Sequence, residues 1–271
     1  MNLQYVNTFF KHCILNSSFN DLQSIIVGDA SIGKVKVLLF YFKSLPRLSS
    51  LKTFINGEGS VDLRDIYRMI FSLSSLKYHK LSLFNLHKNR NIKVFMPLAA
   101  NEEFSTIEYL VINHPCTTNE LVSMLYHTPK LRRLTIDNAI ELVNPVGIER
   151  STVLSNLTYL HFSAFFGDFD GFEMLMAKLS APLQVLIIED IYDNETYLDA
   201  DRWKRLIMTH MPHLRQLKFN LPGVFPIENR YTPFTNSINR FTSSFWSERQ
   251  WFFEVKITRT GTFLIRPYRY I

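Results

Sequence analysis

One short phrase recurs along this chain: a Leu or Ile, a second apolar residue three positions on, and a third two beyond that. The clearest copies are Ile107-Glu-Tyr-Leu110-Val-Ile112, Leu131-Arg-Arg-Leu134-Thr-Ile136, Leu157-Thr-Tyr-Leu160-His-Phe162, Leu183-Gln-Val-Leu186-Ile-Ile188 and Leu214-Arg-Gln-Leu217-Lys-Phe219. Weaker copies start at Leu22, Leu51 and Leu76, and in the last of these Leu81 and Leu83 follow at five and seven positions. Successive copies begin 29, 25, 31, 24, 26, 26 and 31 residues apart. A unit of that length cannot bury its own apolar face, so such a chain is constrained to stack one unit on the next.

The mean spacing, about 27 residues, falls within the range of leucine-rich repeats. The last two apolar residues of each phrase alternate on a short strand and point inward, while the residues between them face out. Between phrases the period becomes helical, as in Leu121, Met124 and Leu125, in Phe172, Leu175, Met176 and Leu179, and in Trp203, Leu206, Ile207 and Met211. Thr117 with Glu120 and Asp170 with Glu173 have capping-box spacing, and Pro129, Pro182 and Pro212 stand just before the next phrase. The expected fold class is α/β: a leucine-rich-repeat solenoid, or horseshoe, with a parallel sheet on its concave face and helices on its convex face. The expected organisation is an N-terminal capping segment over 1–20, repeats over 21–222, and a C-terminal cap over 223–271. In that cap Phe241, Phe245, Trp246, Trp251, Phe252 and Phe253 precede an alternating Phe263-Leu-Ile265 after Gly261, a pattern that predicts a helix and then a β-hairpin.

Composition narrows the functional classes. At 46% hydrophobic and 14% aromatic the chain can bury a large core. Its formal charge of +6 is spread without a long basic run, which argues against a nucleic-acid arm. Cys13 and Cys116 alone cannot make a disulfide scaffold and point to a reducing compartment, cytoplasmic or nuclear, where the sequons at Asn16, Asn156 and Asn194 are not read. Polar residues interrupt Met1 to Asn20, which does not read as a signal peptide, and no window reads as a membrane span.

The phrases Thr-Pro129-Lys-Leu131-Arg-Arg-Leu134, Met-Pro212-His-Leu214-Arg-Gln-Leu217 and Ser-Asn156-Leu157-Thr-Tyr-Leu160 resemble the repeats of F-box/leucine-rich-repeat proteins, over residues 20 to 220. The resemblance implies a substrate receptor, in which an F-box binds the Skp adaptor of a cullin ubiquitin ligase and the repeats capture the target. The residues before Leu22 hold no Leu-Pro opening of an F-box. The expectation is therefore either a fragment of a longer receptor or a repeat protein without the box. Asn138 and Asn220 fall near the usual Asn or Cys of such repeats but form no ladder.

Gly28-Asp-Ala-Ser-Ile-Gly33-Lys34 matches a phosphate-loop spacing, yet Val35 stands where Ser or Thr would ligate magnesium. A nucleotide switch at Gly28 to Lys34 is accordingly a secondary reading, as is nucleic-acid binding through a basic concave face. His114 and Cys116 are two close metal-type ligands where a site needs more. No Gly-x-Ser-x-Gly elbow accompanies the scattered Ser, His and Asp, and the acidic run from Glu189 to Glu195 lacks the Gly and final Glu of a calcium loop. No catalytic residue and no cofactor or metal site is expected.

Binding is expected on the outward strand positions. The column before the inner pair runs Ser24, Thr53, Lys80, Tyr109, Arg133, Tyr159, Val185 and Gln216, and the column between runs Ile26, Ile55, Ser82, Val111, Thr135, His161, Ile187 and Lys218. From these, Lys80, Tyr109, Arg133, Thr135, Tyr159, His161, Ile187 and Lys218 are the candidate partner-binding residues, Tyr and Arg being the types that dominate interface energetics.

Overall fold

The computed structural model describes residues 20–57, 61–84, 92–94, 104–137, 140–141, 152–163, 165–189, 191, 195–222, 240–256 and 262–267. The expected N-terminal capping segment falls outside them except for Asn20, as do Cys13, Asn138, Asn194 and most of the acidic run after Glu189. The protein is α/β and divides into two compact units, Met1–Arg133 and Leu134–Ile271.

In the first unit β1 (Ser24–Ala30), β2 (Ser50–Asn56), β3 (Tyr78–Phe84) and β4 (Tyr109–Asn113) pair in parallel in chain order. Parallel neighbours need crossovers. Helices α1 (Ile32–Phe42) and α2 (Arg64–Phe71) lie in the first two, and α3 (Thr118–Tyr126) follows β4. Strand β5 (Arg133–Ile136) begins at the boundary between the units. In the second unit β6 (Tyr159–Phe162), β7 (Val185–Ile188) and β8 (Gln216–Pro222) are again parallel, with α4 (Phe169–Lys178) and α5 (Ala200–His210) in the crossovers. The expected C-terminal helix and hairpin are present as α6 (Ser244–Glu248), β9 (Trp251–Lys256) and β10 (Thr262–Pro267). The hairpin extends the sheet, β10 running antiparallel to β8 and β9 antiparallel to β10.

The same local turn opens strand after strand. The N–H groups of Leu48, Leu76, Leu131, Leu157 and Leu214 bond the carbonyls of Leu45, Leu73, Thr128, Leu154 and Met211, three residues back. In three of these turns the second residue is proline, Pro46, Pro129 and Pro212, whose fixed φ suits that position. Two successive N–H groups then converge on the one carbonyl that leads into the preceding strand: Ser49 and Ser50 on Gln23, Lys77 and Tyr78 on Ser49, Glu108 and Tyr109 on Lys77, and Gln184 and Val185 on Thr158.

The register corrects the phrase in two places. Leu51 is partnered by His79, and His79 by Leu110. The second copy is therefore Leu48-Leu51-Thr53, and the third is Leu76-His79-Leu81, with no stretching. Thr53 and Ile55, expected on the outer face, point inward and are 1% and 0% exposed. Starting the second copy at Leu51 displaces it by three residues, an odd number, and an odd slip moves every side chain of a strand to the other face.

Caps anchor the helices. Thr117 accepts from the Glu120 N–H while the Glu120 carboxylate accepts from the Thr117 N–H at 2.8 Å, forming the expected capping box. The other expected cap, Asp170, is displaced: Asp168 caps α4 by accepting from the Gly171 N–H at 2.8 Å, because the helix begins two residues earlier than the spacing suggested. Glu120 also accepts from the Val94 N–H at 3.0 Å, tying α3 to the connection ahead of it. Replacing Thr117 by Ala is expected to lower stability by about 1 kcal/mol, read as a shifted urea midpoint with unchanged slope. No helix among the described residues is long and apolar enough to cross a membrane.

Candidate binding face

Within the first unit the outward positions form rows across the parallel strands. One row is Ser24, Ser50, Tyr78 and Tyr109; the next is Ile26, Lys52, Lys80 and Val111; a third is Phe54, Ser82 and Asn113. Lys80 therefore sits beside Val111, not in line with Tyr109 as expected from the phrase. Tyr109 is 38% and Ile26 65% exposed, and Ser82, though on this side, is buried. Lys52 extends its ammonium to 5.9 Å from the centroid of the Tyr78 ring. Arg133 is exposed, and its N–H bonds the Glu108 carbonyl as that of Tyr109 bonds Lys77. At this end of the strands Glu108 lies between Lys77, at 3.2 Å, and Arg132, at 3.4 Å.

In the second unit Thr135 stands half-buried between the buried Leu134 and Ile136. The rows beyond it are Tyr159, Val185 and Gln216, then His161, Ile187 and Lys218. Tyr159 and His161 meet edge to face with centroids 6.5 Å apart. Glu189, just past β7, reaches back over Ile187 to both of its neighbours. Its carboxylate lies 3.4 Å from His161 Nε2 and accepts from Lys218 Nζ at 2.9 Å. The Lys218 hydrogen bond holds the Glu189 carboxyl below the usual carboxylate range, so the acid is ionised wherever the lysine faces it. Glu189 was not among the sequence-derived candidates, although its spacing of two from Ile187 places it on the same side of the strand.

All eight candidate residues thus stand on outward strand positions: Lys80, Tyr109 and Arg133 in the first unit, and Thr135, Tyr159, His161, Ile187 and Lys218 in the second. The residues missed are Lys52 and Tyr78 as well as Glu189. The first two were lost to the register slip in β2 and to the misplaced second and third slots of the third phrase, read at Leu81 and Leu83 where His79 and Leu81 stand.

The motifs set aside on sequence grounds have definite places. Gly28 to Ala30 belong to β1, and Ser31 alone separates them from α1, which begins at Ile32. A strand and helix joined by one residue leave no loop to wrap around a phosphate. The turn is instead taken up by a bulge after Val27, with Asp29 at a φ of 44°. His114 is fully buried with both ring nitrogens engaged: Nδ1–H donates to the Pro115 carbonyl at 2.9 Å, leaving Nε2 to accept from the Tyr67 hydroxyl at 2.6 Å. Burial pushes the Cys116 thiol up to about 12, away from the thiolate a metal requires. Among the described residues no three metal-type ligands cluster.

Beside His114 lies His79, in the slot where the other copies carry leucine or isoleucine. It is fully buried, its ring stands 6.5 Å from that of Tyr67, and neither of its nitrogens finds a hydrogen-bond partner. Desolvation pushes its pKa down to about 3 and that of His114 to about 4, so both are neutral at pH 7. No protein-family model matches this chain, and no curated protein matches it.

Proposed function

We propose that this chain is a leucine-rich-repeat solenoid acting as a non-enzymatic protein-interaction module, the target-capturing part of an F-box-like ubiquitin-ligase receptor of the cytoplasm or nucleus. The observation that carries this reading is the composition of the outward strand rows. Where a face with no partner needs only small polar residues, these rows hold Tyr78, Tyr109 and Arg133 in one unit and Tyr159 and His161 in the other. Large side chains with directed polar groups are the anchors of protein interfaces. The recurring turn, the paired N–H groups on one carbonyl and the near-constant spacing support the repeat assignment. The ligase role rests on the resemblance of the repeat phrases. It would bring the Skp adaptor and a cullin to the target through an F-box.

Affinity capture from cell lysate tests both parts, comparing the intact chain with an Arg133→Ala/Tyr159→Ala double variant. A target retained by the intact chain and reduced at least about tenfold by the variant, or about 1.4 kcal/mol, is the expected result. Skp adaptor and cullin in the same sample support the ligase role. A target without them leaves the binding module and removes the ligase. Equal capture by both proteins places the binding site elsewhere.

A further inference from the structure

We propose that β1 is the surface through which two copies of this chain associate, its open edge pairing antiparallel with the same edge of a second copy about a two-fold axis at Ile26. The inference does not depend on the target-binding reading and goes beyond it.

β1 is the outer strand of the first unit's sheet and pairs on one side with β2. An outer strand turns a row of backbone N–H and C=O groups away from the sheet, a template for one more strand. Which residues supply that row follows from the parallel ladder. Ser24 is the register partner of Ser50, and the Ser50 N–H bonds the Gln23 carbonyl. Peptide groups alternate in direction along a strand, so Gln23, Ile25 and Val27 turn theirs towards β2, while Ser24, Ile26 and Gly28 turn theirs to the open edge. Among the described residues no strand pairs with that edge. A Cβ placed on Gly28 would meet nothing within 4 Å, so the space beside it is open to an approaching strand. Outer strands are ordinarily blunted by charge or proline. β9, the outer strand of the C-terminal hairpin, carries Glu254 and Lys256. From Ser24 to Gly28 β1 holds neither charge nor proline, and its acid, Asp29, lies in the bulge beyond.

The segment is complementary to itself, which is why a second copy is its occupant. Residues directly opposite in an antiparallel pair share a face. With Ile26 opposite Ile26 of the second copy, Ile25 falls opposite Val27 and Ser24 opposite Gly28, so apolar meets apolar on both faces and the flanking pair is small. Ile26 is 65% exposed and Ile25 half-buried, and pairing covers apolar surface that the single chain leaves in water. The peptide groups agree, for Ile26 exchanges both of its bonds with its copy, and Ser24 and Gly28 exchange theirs with each other. Moving the axis to Val27 would set Ile25 against Asp29, and moving it to Ile25 would set Val27 against Gln23. The contact is isologous and closes at two copies. It also joins the outward row Ile26, Lys52, Lys80 and Val111 to the same row of the second copy, doubling the face offered to a target. A contact of about five residues a side is short beside permanent interfaces, and a dissociation constant of about 10 to 100 µM is expected.

The test is sedimentation equilibrium of the full chain from about 5 to about 300 µM, with the circular dichroism and urea midpoint of each variant establishing that the fold is kept. A monomer–dimer equilibrium is expected. Ile26→Lys sets like charges against each other on the axis and weakens association at least tenfold, while Ile26→Val keeps an apolar β-branched pair and stays within about threefold of the intact chain. Phe40→Lys removes a residue 68% exposed on α1, away from the edge, and is expected to associate as the intact chain does. Air oxidation reads the register. Ile26→Cys places two Cα atoms about 5.5 Å apart across the axis and yields a disulfide-linked dimer, whereas Ser24→Cys stands more than about 13 Å from its own copy along the strand and does not. A chain that stays monomeric at about 300 µM overturns the proposal, as does assembly beyond two copies. So does an Ile26→Lys protein that associates unchanged, a Phe40→Lys protein that loses as much, or a Ser24→Cys protein that cross-links as readily as Ile26→Cys. Should lysate capture succeed with a chain that stays monomeric, the interaction module stands and only the pairing through β1 falls.

Discussion

Acidification from about pH 7.5 to about pH 5 is expected to cost the first unit about 4 kcal/mol, about half from His79 and half from His114. Both folded-state pKa values lie below the ordinary value of 6.5, at about 3 and about 4. The unfolded chain therefore binds more protons than the folded one throughout this range. Stability is full above about pH 7 and falls by about 1.4 kcal/mol per pH unit for each histidine below 6.5. The other perturbed groups around them do not titrate here: Cys116 is pushed up to about 12 and Tyr67 upward as well, in both cases chiefly by burial. Lowered carboxylates such as Asp62, held by its hydrogen bonds to Arg64, begin to lose their contribution only at more acid pH. Urea unfolding followed by far-ultraviolet circular dichroism at several pH values measures the slope. His79→Leu separates the two histidines. It restores the residue that other copies carry and deletes two unpaired buried nitrogens, so a gain of about 1 to 3 kcal/mol is expected at neutral pH, with about half the pH slope removed. An unchanged slope in that variant would show that the burial of His79 is not what the acid reverses.

How much of this architecture was legible in the sequence depended on which residues carried the signal. The five clear phrases gave strand, direction and register correctly because leucine, isoleucine and phenylalanine fill all three inward slots. The weaker copies failed where a polar residue occupies a slot. A search for apolar residues steps over His79 to Leu81 and Leu83, and it aligns Leu51 with the first slot because Thr53 does not register as a core residue. The proline turn held the missing information: Leu45-Pro46-Arg-Leu48 parallels Thr128-Pro129-Lys-Leu131 and Met211-Pro212-His-Leu214, and aligning on it starts the second copy at Leu48. Lys52 and Phe54 then face outward, and the lysine pair with Lys80 becomes visible. Contacts one repeat apart were harder to foresee. Glu189 joins Lys218, and Arg202 joins Asp170 and Glu173, only because neighbouring parallel strands and their crossover helices bring residues about 30 positions apart into reach. Nothing in the local sequence of Asp170 distinguishes that ion-pairing role from the cap that Asp168 provides two residues earlier. The C-terminal hairpin was legible from Gly261 and the alternation after it, whereas its attachment to β8 is a tertiary choice that local pattern does not encode.

Trp203→Ala is expected to cost about 4 kcal/mol, a loss on the scale of the largest core truncations. Trp203 is fully buried on the inner side of α5. Its ring stacks on Phe219 with centroids 5.0 Å apart and planes 9° from parallel, and it meets Phe169 at 5.0 Å edge to face and Phe172 at 5.5 Å. Phe219 and Phe172 belong to β8 and α4, so this one side chain ties its helix to the strand that follows and to the helix of the preceding crossover. Its Nε1–H also donates to the Tyr197 carbonyl at 2.9 Å, closing the turn that leads into α5. Truncation leaves a cavity among three rings and an unpaired buried carbonyl, and the two losses add. Trp203→Phe divides them: most of the ring contact is kept while the hydrogen bond is lost, and a cost of about 1 to 2 kcal/mol is expected. Trp246 and Trp251 remain in both variants as fluorescent reporters of the same unit, so urea midpoints can be read without a new probe. A Trp203→Ala protein that loses less than about 1 kcal/mol would mean that the cluster closes over the gap, a degree of plasticity that interlocked aromatic rings packed at native density do not provide.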